Sequence, residues 1–382
     1  MPIYFDHNAT TPLDPRVLEA MQPYLAGPYG NPSSLHRYGR AARDAVEAAR
    51  AQVAALAGAQ PGEVVWTSGG TESDNLALQG ATEGQRPTRV LYGATEHPAV
   101  LETAEALRGH GWVVETIAID GDGLVDWPAF EAQLARGPLR IAALMAANNE
   151  TGVIHDVGRA AGLVRAAGLV RAAGGLLLCD AVQAAGKIPL DFAACGADLM
   201  SLSAHKLYGP KGVGALLRKA EVELAPLLHG GGQERGLRGG TENVAGIVGF
   251  GAAAELARTG LEARAAHCLA LRERLAAGLH GLPGVTIFGE RAPRLPNTLQ
   301  FALKGWEGEA LLMALDRKGI AVSSGSACSS GKGEPSHVLL GMGLPRDLAY
   351  GAIRVSLGQD NTAAEIDRFL VVLAELRMAA AA

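Results

Sequence analysis

Four cysteines in 382 residues, with no C-x-x-C and no cysteine–histidine cluster, are too few and too scattered for a disulfide framework or a structural zinc site. Runs of lysine and arginine are missing too. Thirty-four basic residues against 39 acidic leave a formal charge of −5, which argues against a nucleic-acid footprint. No uncharged apolar run approaches the ~18 residues that span a bilayer. The opening segment MPIYFDHNATTPLDP has neither a basic stretch before an apolar one nor an Arg-rich amphipathic pattern. These absences predict a soluble, reducing, cytoplasmic setting with no membrane and no direct nucleic-acid contact. Aromatic residues are scarce at 5%, yet 48% hydrophobic and 19% charged residues make a core-building mixture and exclude disorder of the whole chain. Glycine is in surplus: 50 residues, nearly twice the usual share of ~7%, with no G-X-Y period.

The length exceeds what one core usually organises, so two domains are expected. The pattern predicts a long helix over Ser33 to Ala57, with Gly58 where a left-handed cap belongs. Short apolar runs at Glu63 to Thr67, Arg89 to Tyr92, Trp112 to Ala118, Leu139 to Ala147, Gly175 to Cys179, Leu199 to Leu202 and Val213 to Leu217 are separated mostly by helical patterns. That alternation predicts an α/β fold, with a mainly parallel seven-stranded sheet covered by helices. A long helical stretch from Asn243 to His280 is followed by strands near Val285, at Thr298 to Leu303 and at Ile353 to Ser356, and by helices over Glu307 to Lys318 and Ala363 to Met378. This predicts a smaller α+β domain. The expected division is 15–255 for the large domain, and 1–14 with 256–382 for the small one. Residues 160 to 174 read AAGLVRAAGLVRAAG, a six-residue tandem repeat too short for a solenoid unit. Six residues turn a helix by about 600°, so one copy is expected to be absorbed in a bulge or lengthened loop, with Leu169 opposite the Leu163, Ala167, Val170 stripe.

Two constellations carry chemistry. In Trp66 to Asn75 (WTSGGTESDN) a strand ends in two glycines and a hydroxyl residue where a helix begins. Free N–H groups at a helix start, glycines for close approach and the Thr71 hydroxyl suit a phosphate, although alone such a turn is more often a plain connection. It matches neither the dinucleotide fingerprint nor the P-loop. The second constellation is a strand ending in Asp180, with Gln183 after it and Ser203-Ala204-His205-Lys206 after the next strand. Ligands gather at the carboxyl ends of strands in open α/β sheets. A lysine for a Schiff base, a carboxylate for a pyridine nitrogen and a phosphate cradle are what pyridoxal phosphate (PLP) requires. Taken singly, Asp180 reads as a turn cap and Lys206 as a solvated charge.

The stretches YFDHNATTPLDPR (Tyr4 to Arg16), GNPSSLH (Gly30 to His36), Thr67 to Asn75, TEHPAVL (Thr95 to Leu101), NNETG (Asn148 to Gly152), DAVQ (Asp180 to Gln183), HKLYGPKG (His205 to Gly212), GGTEN (Gly239 to Asn243), SSGSACSSGKGEPSHV (Ser323 to Val338) and RVSL (Arg354 to Leu357) occur in order over essentially the whole chain. With them the sequence resembles the cysteine desulfurases of the class V aminotransferase family, in the branch of the NifS and IscS proteins. The resemblance implies the fold type I architecture of PLP-dependent transferases and PLP as cofactor. It makes Lys206 the Schiff-base lysine, Asp180 the pyridinium partner and Gln183 a donor to the ring hydroxyl. Asn149 becomes a further polar contact near cofactor and substrate. His97 would stack on the ring and move protons, which its ordinary pKa near ~6.5 suits; by its position before Pro98 alone it reads as a helix-entry residue. Gly70, Thr71, Glu72, Ser203 and His205 would surround the phosphate, with Thr241 reaching in from the partner of a homodimer. Arg354, assisted by Asn31, would hold the substrate carboxylate.

Cys328 separates the desulfurase reading from other PLP enzymes. It lies in the small, polar segment SSGSACSSGKG, which reads as exposed, whereas Cys179, Cys195 and Cys268 lie in apolar or helical settings and read as buried and inert. The implied reaction converts L-cysteine to alanine and leaves the sulfur on Cys328 as a persulfide. An acceptor protein such as an iron–sulfur scaffold or a tRNA-thiolation carrier would receive it. No metal site is expected apart from Cys328 as a candidate iron–sulfur ligand. The alternatives are a selenocysteine lyase, another class V aminotransferase or lyase making no covalent use of Cys328, and a non-catalytic assembly subunit. Eleven of the glycines fall at the phosphate turn, in the 230–240 loop and around Cys328.

Overall fold

The computed structural model describes residues 2–27, 29–171, 174–324 and 334–381. Cys328, with Gly325, Gly331 and Gly333, lies outside the described residues. Short strand β1 (Ile3–Tyr4) leads through an extended segment to helix α1 (Pro15–Ala26), which Asp14 caps by accepting from Arg16 N–H at 2.9 Å. Helix α2 (Arg37–Ala57) begins four residues later than its sequence pattern suggests. His36 caps it through Nδ1, and Leu35 stays in the exposed approach loop; Gly58 ends it with a left-handed φ of 63°.

The seven apolar runs all form strands: β2 (Val64–Thr67), β3 (Arg89–Gly93), β4 (Val113–Ile117), β5 (Leu139–Ala143), β6 (Leu176–Asp180), β7 (Leu199–Ser203) and β8 (Gly214–Arg218), in the order β2-β8-β7-β6-β5-β3-β4. Strand β8 alone runs against its neighbours, pairing antiparallel with β2 and β7. Successive side chains point to opposite faces. Val64 and Trp66 therefore enter one apolar cluster and Val65 another, and Leu177 and Cys179 separate from Leu178 in the same way. Burial on both faces explains why these strands read as continuous apolar runs.

The helices following these strands are α3 (Gly70–Thr82), α4 (Pro98–Ala106), α5 (Trp127–Leu134), α6 (Val157–Arg171) and α7 (Phe192–Cys195). Helix α6 runs unbroken through the described part of the repeat, to Arg171, so the repeated residues lengthen the helix where a bulge was expected. Residues 172–173 and the Leu169 side chain fall outside the description. The expected long helix is two, α8 (Val244–Thr259) and α9 (Leu261–His280), bent by 71° at Gly260. Among the described residues no single helix is long and apolar enough to cross a membrane.

Beyond α9 lie β9 (Val285–Ile287), β10 (Thr298–Leu303), α10 (Gly308–Arg317), β11 (Ile320–Ala321), β12 (Ser323–Ser324), two short helices α11 (His337–Gly341) and α12 (Arg346–Tyr350), β13 (Ala352–Ser356) and α13 (Ala363–Ala381). A four-stranded sheet in the order β12-β13-β10-β9 packs with α9, α10 and α13 around Phe5, Phe301, Leu315 and Phe369. Strand β1 pairs parallel with β11, so the amino-terminal segment begins in this layer, and Asp6 to Thr11 then cross toward the end of β7.

Candidate active site

The carboxyl ends of β2, β3, β5, β6 and β7 converge on a cavity of ≈ 240 Å³. Gly70, Thr71, His97, Asn149, Asp180, Gln183, Ser203, His205 and Lys206 line it, and so do Asp74, Met145 and Val182, which sequence reasoning passed over. Asp74 carried a signal, four residues after Gly70 and hence on the same face of α3.

At the turn after β2 the backbone fits closely. A side chain on Gly70 would place its Cβ 2.7 Å from Val182 Cγ2, and one on Gly214 would lie 2.6 Å from the Cα of Gly69. The N-terminus of α3 therefore opens onto the cavity without intervening side chains. A shallower recess adjoins it, lined by Thr10, Ser68 to Glu72, Ser203, His205 and Lys211. Glu72 in this lining has its carboxylate paired, with Arg238 at 2.9 Å and with the Ser68 N–H donating at 2.8 Å.

Lys206 ends a single tight turn after β7. Its Nζ donates to the carbonyls of Asn8 at 2.6 Å and Ala9 at 2.7 Å. Tyr208 adopts a left-handed φ of 65°, a costly conformation for a non-glycine residue. Its N–H donates to Thr11 Oγ1 at 2.8 Å and its hydroxyl accepts from Gln359 N–H at 2.8 Å, fixing the turn. Thr11 Oγ1 also donates to the His205 carbonyl at 3.0 Å. The amino-terminal segment is thus stitched over the lysine turn.

Asp180 is buried at the end of β6, and its Oδ1 accepts from Val182 N–H at 2.9 Å. Burial raises its pKa to about 6, against the opposing pull of the Val182 N–H and Lys206. Two further carboxyls lie behind it. Burial and the nearby Asp180 push Glu96 up to about 8, and burial with Asp180 raises Asp74 well above the usual range, although Ser201 Oγ donates to it at 2.5 Å. Of Asp180 and Glu96, Asp180 therefore gives up its proton first, and it lines the cavity.

His97 caps α4 and reaches the cavity. Its Nδ1 accepts from Ala99 N–H at 3.1 Å as the cap of α4, and its ring lines the cavity. Burial and then Lys206 lower its pKa to about 4, so the ring is neutral at pH 7 with its proton on Nε2. His205 is likewise lowered to about 4, by burial and Lys206. Arg354 on β13 is buried, donating to Asp6 Oδ1 at 2.7 Å and the Asn149 carbonyl at 3.0 Å. Its Nε has no partner among the described residues.

Two sequence candidates stand apart from the cavity. Asn31 is exposed, its Oδ1 accepting from Ser33 N–H at 2.9 Å, and Thr241 is exposed after the 230–240 loop. Of the other cysteines, Cys179 and Cys268 are buried as expected, while Cys195 is half-buried; burial raises all three thiols, Cys268 to about 11.

The residues present fit PLP. The Asn149 Oδ1 and Ser203 Oγ atoms are buried at the cavity without a partner among the described residues, as expected of groups that meet a polar ligand. A desolvated carboxylate faces the same space, and the glycine turn leaves room for a phosphate at a helix start. Fold and site together are those of a PLP-dependent α/β enzyme. The chain belongs to the class V aminotransferase family, whose model matches residues 3–369. It is 49% identical over 387 residues to a cysteine desulfurase IscS of Anaeromyxobacter sp. (strain Fw109-5), covering 98% of this chain and 92% of that protein. A cysteine desulfurase of Trichormus azollae is 45% identical, over 98% of this chain and 92% of its own length. Among solved structures a NifS-like protein superposes with a TM-score of 0.90 at 40% identity, covering 98% of this chain and 99% of the other. SspA in complex with cysteine does so with a TM-score of 0.81 at 30% identity, over 94% and 100% of the two chains.

Proposed function

We propose that this protein is a PLP-dependent cysteine desulfurase that converts L-cysteine to L-alanine and keeps the sulfur on Cys328 as a persulfide. The observation that carries the reading is one cavity lined by the Lys206 amine, the Asp180 carboxylate and the Gly70–Thr71 helix start, in a chain about half identical to named desulfurases. When bound, the cofactor supplies an electron sink that lets bonds at the α- and β-carbons of the substrate break.

The chain's own residues do the rest. Lys206 would hold the cofactor through its amine and would serve beside the substrate as a base. Asp180 keeps a proton on the ring nitrogen, Gln183 donates to the ring hydroxyl, and Gly70, Thr71, Ser203 and His205 hold the phosphate. Glu72 supports that turn through Arg238. His97, neutral with its proton on Nε2, covers the ring face and passes protons. Arg354 has a free Nε and can exchange Asp6 for the substrate carboxylate, a bidentate match a lysine lacks, and Asn149 lies beside it. The Cys328 thiolate forms a bond to the substrate sulfur as the carbon–sulfur bond breaks. The electron pair stays with carbon, which takes a proton, and alanine leaves.

The same reading assigns Thr241 to the phosphate site of a partner copy in a homodimer. It divides the chain into 15–255 and 1–14 with 256–382, and sends the persulfide to a cytoplasmic acceptor such as an iron–sulfur scaffold. The test compares wild type with Lys206→Ala and Cys328→Ser. Wild type should be yellow with PLP, form alanine from L-cysteine and carry a labile persulfide. Lys206→Ala should lose the covalently held chromophore, and Cys328→Ser should keep the colour and lose sulfide release. Full desulfuration by Cys328→Ser would remove Cys328 from the mechanism.

A further inference from the structure

Beside the cavity, Lys187 follows Gly186, whose backbone is left-handed at φ 69°. The Lys187 Nζ donates to Gln183 Oε1 at 2.7 Å and to Asn8 Oδ1 at 2.9 Å. Both carboxamides are thereby oriented. Gln183, which lines the cavity, presents its nitrogen to the Asn8 carbonyl at 3.0 Å; Asn8 presents its nitrogen to the Asn149 carbonyl at 3.1 Å and Thr298 Oγ1 at 2.9 Å. The Asn8 carbonyl that receives Gln183 also receives the Lys206 amine at 2.6 Å. Turning the Gln183 amide over would set its oxygen against that carbonyl and lose the Lys187 bond together. Without Lys187, Gln183 Oε1 would lose its donor, a loss that amide could relieve only by moving, while Asn8 Oδ1 would keep the Asn297 N–H at 3.1 Å.

We propose that Lys187 is a positioning residue: it aims the Gln183 N–H into the cavity and, through Asn8, seats the Lys206 amine. The inference rests on the PLP reading above. Lys187 is faced by Lys206, Arg354 and Cys268, and His7, Tyr208 and Arg264 line the small cavity beside it. Burial and the like charges of Lys206 and Arg354 push its amine well below the ordinary lysine value.

The test is a pH titration of the visible absorption of PLP-loaded wild type, Lys187→Met, Lys187→Gln, Gln183→Ala and the Lys187→Met/Gln183→Ala pair. Loss of a donor aimed at the ring oxygen strengthens that oxygen's hold on its proton. Lys187→Met should therefore raise the titration midpoint by about one pH unit. Lys187→Gln, which keeps one donor in similar space and guards against misfolding of the first variant, should raise it less. The double variant should titrate like Gln183→Ala, because the two residues act as one unit. A folded, yellow Lys187→Met or Lys187→Gln with the wild-type midpoint, or additive shifts in the double variant, would overturn the inference and leave the cofactor reading intact. A wild type that takes up no PLP would overturn the cofactor reading itself.

Discussion

Glu96 shows what a single residue contributes when burial decides its charge. It is fully enclosed, takes the Met145 N–H at 2.6 Å, and has no partner for Oε2 among the described residues. Its pKa of about 8 in the fold lies above the ordinary value of 4.5. The unfolded chain releases this proton first as pH rises. The stabilising contribution is therefore complete below pH ~4.5 and disappears by pH ~8. Glu96→Gln keeps the backbone contact and removes the titration, at a cost that does not vary with pH. The variant's stability relative to wild type should rise by a few kcal/mol between pH 4.5 and 8, because each pH unit in that window changes the balance by about 1.4 kcal/mol. Urea melts at several pH values measure it; a difference that stays constant with pH would mean that Glu96 is ionised in the fold.

His97 makes the complementary point about inference from one position. The residue before Pro98 reads as a helix cap from local pattern and as a proton carrier from resemblance; the structure shows the cap and sets the residue in the cavity wall. Asn8 and Lys187 were not legible in this way. Asn8 matters because of bonds to residues 141 to 290 positions away, and no local pattern encodes those.

At the scale of elements, the seven strands of the large sheet were legible because each is an apolar run between turn signals. The two-residue strands β1, β11 and β12 were not, since pairing with a distant partner is all that defines them. The bend at Gly260 and the late start of α2 likewise follow from packing and capping, which periodicity does not resolve. Packing is tight where α8 crosses α2. A Cβ on Gly251 would come within 2.7 Å of the Ala49 Cα, and Phe250 beside it is fully buried against Trp66. Gly251→Val should cost about 1–3 kcal/mol by forcing these helices apart, checked by chemical denaturation; a wild-type midpoint would show that the helix pair yields freely.

The 230–240 loop is held differently. Glu234, with a left-handed φ of 47°, bonds both terminal nitrogens of the buried Arg50, at 2.8 and 2.9 Å, and accepts from Trp66 N–H at 2.9 Å. Removing Glu234 leaves both terminal nitrogens of the buried Arg50 without their carboxylate, with only the exposed Glu47 remaining at Nε, 3.1 Å away. Glu234→Ala should lower stability by about 3–5 kcal/mol. It should also loosen the loop leading to Thr241, visible as faster amide exchange across residues 230–240. Unchanged exchange there would mean that the ion pair does not hold the loop.

Across the whole molecule, the amino-terminal segment is the piece that belongs to both layers. Phe5 packs in the cluster of the four-stranded sheet, Asn8 reaches Asn149, Gln183, Lys187, Lys206 and Asn297 with side chain and carbonyl, and α1 then lies on α8. The walls of the cavity are therefore set by how this segment is seated, although its residues contribute little of the lining. Asn8→Ala removes four side-chain hydrogen bonds to buried groups while keeping the carbonyl that receives Lys206. At about 1 kcal/mol net each, partly offset by rearrangement, the apoprotein should lose about 2–4 kcal/mol. The cofactor should feel the change as well. A ligand that binds only the folded state raises the melting temperature in proportion to the logarithm of its affinity, so the rise produced by PLP in wild type should shrink in Asn8→Ala, with a dissociation constant about tenfold weaker. Calorimetry with and without PLP, together with absorbance titration, separates the two effects. A destabilised variant that binds PLP as tightly as wild type would mean that the segment only fastens the layers together, and that the cavity keeps its shape without it.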